Sequence, residues 1–75
     1  MLFLIEYDRT RGLLASLTSF DSAERKIAED ARLALEIARN RSQRASEIVL
    51  LEAPTEEALR RTHRRYFEGV SELAG

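Results

Sequence analysis

Met1-Leu2-Phe3-Leu4-Ile5-Glu6-Tyr7 is the stretch on which the fold turns. Leu2 and Leu4 share one side of an extended strand, and Phe3, Ile5 and Tyr7 share the other, so both faces call for cover. A strand apolar front and back belongs in the middle of a sheet. The run has no basic segment before it and is broken by Glu6 and Asp8, which distinguishes it from a targeting peptide.

Working outward, Asp8 to Gly12 is a short polar connection whose glycine can adopt positive φ, as hairpin loops of this length require. Leu13 to Ser19 reads as the returning strand, with Leu13, Ala15 and Leu17 on one side and Ser16 and Thr18 on the other. It is the less apolar of the two and is assigned to an edge.

Asp21 and Glu24 have the spacing of a capping box, and a helix is expected from about Ser22 to Asn40. Ala23, Ile27, Ala31, Ala34, Leu35 and Ala38 recur at steps of three and four, with Ile37 and Ala28 on the flanks, a broad stripe expected against the sheet. Arg25, Glu29, Arg32, Glu36 and Arg39 alternate in sign on the opposite, solvated side. Glu47 to Ala53 forms a third strand, again apolar on both sides, and Pro54 ends it. Thr55 then caps a second helix, with Glu56 and Glu57 favourably placed in its first turn. Its phase, carried by Leu59, Thr62, His63, Tyr66, Phe67, Val70 and Leu73, runs through Gly69.

The expected fold is therefore α+β, in the order β-β-α-β-α, as one domain over residues 1–75. Right-handed crossover places the third strand beside the first, giving sheet order 2-1-3. Both helices are expected on one face, since one helix on each would leave much of each three-strand face uncovered. The other face is then bare, and such a patch marks a binding surface. A homodimer that closes this face or extends an edge strand follows as the expected assembly.

Composition narrows the function classes. Twelve basic and thirteen acidic side chains nearly cancel, so no global field selects a polyanion. Eleven of the basic residues are arginine, which fits both a GC-rich coding bias and a preference for planar anion contacts. The absence of cysteine points away from disulfide scaffolds and thiolate metal sites and toward a reducing compartment, the cytoplasm. A short, Arg-rich chain with a strand at its start has the general look of a bacterial accessory protein. No stretch approaches the roughly 20 apolar residues of a membrane span.

Three features are candidates for chemistry. His63, the sole histidine, lies on the apolar stripe of the second helix with Tyr66 nearby, and the two define a candidate pocket. A hydrogen-bonded boundary imidazole is the simpler reading, since one histidine supplies no usual zinc set and no nucleophile motif accompanies it. Arg60, Arg61, Arg64 and Arg65 form two doublets four residues apart, a candidate stripe for a protein partner or nucleic-acid phosphates. Glu56, Glu57 and Glu68 are spaced to neutralise much of it, with Arg65 the least obviously paired. Three scattered glycines exclude a phosphate-cradling loop, and no cofactor is expected. The expectation is a non-catalytic, homodimeric protein-interaction module, with nucleic-acid binding through the arginine stripe as the alternative.

Overall fold

The computed structural model describes residues 1–42 and 45–68. Strands β1 (Leu2–Asp8), β2 (Leu13–Phe20) and β3 (Ser46–Glu52) form one sheet in the order β2-β1-β3, with β1 antiparallel to both neighbours. Helix α1 (Arg25–Ser42) joins β2 to β3, and α2 (Glu56–Thr62) follows β3. The topology is the one the crossover rule selects.

Local chemistry explains each boundary. In the hairpin, an oxygen of the Asp8 carboxylate accepts the backbone N–H groups of Thr10 and Arg11, both at 3.0 Å, and Gly12 closes the turn at φ +69°. A 3-10 turn at Ser22–Glu24 leads into α1, and the backbone N–H of Asp21 donates to the Glu24 carboxylate at 3.0 Å. Thr55 caps α2 by accepting the Ala58 N–H at 3.1 Å.

The two helices lie on opposite faces of the sheet, which corrects the expectation that they share one. Strand parity decides this. Phe3 and Ile5 pack with Ala53, Leu59, Tyr66 and Phe67, so the chain from the end of β3 onward roofs the odd-numbered face of β1. Leu2, Leu4 and Glu6 on the other face are equally buried, and they lie under α1, whose Arg39 pairs with Glu6. At the other end of α1, Arg25 pairs with Glu52, the residue opposite Leu2. A strand apolar on both sides is stabilised only if both sides are roofed, and two helices suffice when each takes one.

Two further expectations change. In β2 the register slips between Glu6 and Tyr7 of β1, leaving Ala15 as a bulge. The extra residue resets the alternation, so Leu14 and Leu17 both pack against the core, in place of a Leu13, Ala15, Leu17 row. The second helix, expected to continue through Gly69, ends at Thr62. His63 leaves helical geometry at φ −124° and ψ 53°, and a 3-10 turn at Arg64–Tyr66 redirects the chain so that Tyr66 and Phe67 both reach the core. Val70 and Leu73, assigned to the same stripe, lie outside the described residues.

Candidate functional site

Helix α1 carries the largest departure from its expected packing. Of the expected stripe and its flanks, Ala31, Leu35 and the fully buried Ala28 turn toward the sheet, and Arg39 joins them. Ala23, Ile27, Ala34 and Ala38 are exposed. The helix is rolled so that Arg39 turns toward the sheet, while Arg25, Glu29, Arg32 and Glu36 of the same charged face stay exposed as expected. This roll brings Arg39 onto Glu6 and Arg25 onto Glu52. A carboxylate in the central strand needs a cation, and burying it unpaired would cost several kcal/mol.

The outward face of α1 is the consequence. Ile27 and Leu33 are each 56 % exposed and Ile37 is 46 % exposed, and apart from Met1 these are the large exposed hydrophobic residues among those described. Isolated exposed leucines are ordinary on protein surfaces. Three on the outer side of one helix, with Ala34 and Ala38 among them and Asp30 lying between Ile27 and Leu33, form an apolar-rich strip.

Two polar clusters flank the sheet. On the α1 face, Nη2 of Arg39 donates to one Glu6 oxygen at 3.0 Å, and its Nε pairs with the other. The Ser46 hydroxyl donates to that second oxygen at 3.2 Å. The Glu6 carboxylate holds the Arg39 guanidinium even more firmly protonated than usual, chiefly through their hydrogen bond. Two shallow cavities adjoin this cluster. One of about 380 Å³ is lined by Glu36, Ile37, Arg39, Asn40, Ser46 and Ile48. The other, of about 650 Å³, lies between the hairpin and Ser46.

On the opposite face, the Arg65 guanidinium grips Glu47 with two hydrogen bonds, at 3.0 and 2.9 Å. The Tyr66 hydroxyl donates to the same carboxylate at 2.6 Å. Arg65 and Tyr66 together lower the Glu47 pKa to about 2, while burial first and the carboxylate second raise that of Tyr66. Arg65 also lies over the Tyr66 ring at 4.4 Å, and Tyr66 meets Tyr7 edge to face at 5.5 Å.

The sequence-derived candidates fall into these surroundings as follows. Tyr66 is buried and occupied by Glu47, whereas the His63 ring nitrogen Nδ1 lies 2.9 Å from the Thr62 hydroxyl. The two side chains thus have separate partners, and neither residue lines the two cavities above. Arg60 pairs with Glu56 at 2.9 Å and stacks on Phe67 at 4.6 Å, and Arg61 pairs with Glu57. Arg65, expected to be the least paired, is the most firmly held, by a residue 18 positions away. Arg64 alone of the four has no ion pair among the described residues.

Sequence reading did not find the Glu6–Arg39 pair. Its signal was available, since a glutamate inside a strand buried on both faces demands a cation, but which arginine supplies it depends on how α1 rolls. Among the described residues, no group of three or more histidine, cysteine, aspartate or glutamate side chains is arranged to hold a metal ion, and no helix is long and apolar enough to cross a membrane. Compared with protein-family models, curated proteins and solved structures, the chain matches none.

Proposed function

We propose that the protein is a small non-catalytic interaction module that acts as a homodimer, with the outward face of α1 as its contact surface. The observation that carries this reading is the exposure of Ile27, Leu33 and Ile37 on one helix of a chain whose other large apolar side chains, Met1 apart, are at least half-buried among the described residues. Exposed apolar strips of this kind mark protein contacts. An open sheet face, the original ground for expecting a dimer, plays no part, because both faces of β1 are roofed. A reducing compartment such as the cytoplasm is in keeping with the lack of cysteine.

Nucleic-acid binding through Arg60, Arg61, Arg64 and Arg65 draws less support. Three of the four already hold carboxylates, so a phosphate would have to displace an intramolecular partner. Sedimentation equilibrium at tens of micromolar tests the homodimer. The expected mass is twice that of the 8.6 kDa chain, and a monomer mass throughout rejects the reading.

A further inference from the structure

We infer that two copies pair through antiparallel α1 helices, with Ile27 of each opposite Ile37 of the other and the two Leu33 side chains meeting beside the two-fold axis. The inference rests on the homodimer reading and specifies its geometry.

Ala23, Ile27, Asp30, Ala34, Ile37 and Arg41 follow one another at steps of four, three, four, three and four. This alternation is the 3.5-residue period of a helix-pairing seam. At about 100° per residue, the midline of the seam lies roughly 150° around α1 from Ala28, Leu35 and Arg39, which face the sheet. All six seam residues are exposed, so the sheet does not obstruct a partner. Ala34 in the helix, and Ala23 in the 3-10 turn that leads into it, are small enough to let two helix backbones approach closely.

The two charged members of the seam select its direction. In a parallel, in-register pair, Asp30 would face Asp30 and Arg41 would face Arg41 inside the contact, stacking like charges. Reversing one helix about a point near residue 32 removes both clashes. Asp30 then lies opposite Ala34, where its own Lys26 still compensates it at 3.2 Å, and Arg41 lies opposite Ala23 and beside the second copy's Glu24. The favourable Arg41–Glu24 approach occurs twice, once at each end, as two-fold symmetry requires.

Register follows from the aliphatic residues. Among antiparallel registers one heptad apart, centring near residue 32 is the one that sets each isoleucine of the seam against an isoleucine. It also places Leu33, one position beside the seam, against its own symmetry mate. One contact therefore covers all three exposed aliphatic residues of α1.

Cysteine cross-linking reads this geometry directly, because the natural chain has no cysteine. Ile27→Cys and Ile37→Cys are prepared separately, oxidised alone, and then mixed and oxidised together. Positions 27 of the two copies should lie about 15 Å apart along the helix axis, beyond disulfide reach, and so should positions 37. The expected result is a covalent dimer from the mixture and little from either variant alone. Cross-linking of each variant by itself, or none in the mixture while sedimentation still shows a dimer, overturns the antiparallel pairing and leaves the homodimer reading standing. A monomeric natural protein overturns both. As a second measure, Leu33→Asp should keep its circular-dichroism spectrum and weaken the dimer by roughly a hundredfold, since it sets two carboxylates against each other. Unchanged association of a folded Leu33→Asp variant also counts against the pairing.

Discussion

Arg65 and Glu47 meet through both guanidinium terminal nitrogens and both carboxylate oxygens, and this clamp ties the turn after α2 to the edge strand β3. Its pH signature follows from the sign of the shift. The Glu47 pKa falls from 4.5 to about 2 on folding, so the ionised carboxylate stabilises the fold fully above pH 4.5, and that contribution is lost as pH drops toward 2. The denaturation gap between the natural chain and Glu47→Gln should be widest at pH 7 and should close between pH 4.5 and 2. A gap independent of pH would contradict the clamp.

Tyr66→Phe removes one hydroxyl donor from the same carboxylate while keeping the ring in the core. A cost of about 1 to 2 kcal/mol is expected from urea unfolding at pH 7. The ring's contact with Tyr7, 5.5 Å between centroids, is preserved, so the far-ultraviolet circular-dichroism spectrum should be little altered.

Arg39→Met removes the two-pronged guanidinium contact to the buried Glu6 carboxylate and should destabilise the protein strongly. Pairing it with Glu6→Leu should restore much of the loss, because an apolar pair of similar volume can fill the site that the ion pair occupied. Thermal melts of the two single variants and the double variant test this coupling, and a double variant less stable than either single one refutes it.

Leu59 and Ile27 are aliphatic residues of similar size with opposite surroundings. Leu59 is fully buried beneath Phe67, Phe3 and Ile5, whereas Ile27 is 56 % exposed. Leu59→Ala is expected to cost about 2 to 5 kcal/mol, a large share of the margin of so small a protein. Ile27→Ala should cost the monomer fold under about 0.5 kcal/mol and act instead on association. Urea titrations at low protein concentration, paired with sedimentation, separate the two effects.

Much of the fold was legible because its signals are local. The apolar run of β1, the positive-φ Gly12 and the caps at Asp21 and Thr55 each act within a few residues, and they fix the element order and the 2-1-3 sheet. What remained hidden depends on contacts between distant segments. The roll of α1 is tied to a carboxylate 33 residues from the arginine that neutralises it. The periodicity of α1 allowed two faces, one through Ala31 and Leu35 and one through Ile27 and Ala34, and only the charge at Glu6 distinguishes them. In the same way, Arg65 was the least obviously paired of the four arginines because its partner lies on another element, and the break at His63 was masked by a helical phase that continues beyond it.

The bulge at Ala15 bears on how far assembly can proceed. A strand laid along the free side of β2 would meet a backbone whose hydrogen-bonding rhythm changes midway, a poor template for stacking ribbon upon ribbon into fibrils. A helix that closes against its twin consumes its sticky surface in a single event. In the proposed dimer, growth would then halt at two molecules, with no further exposed apolar strip among the described residues to recruit a third.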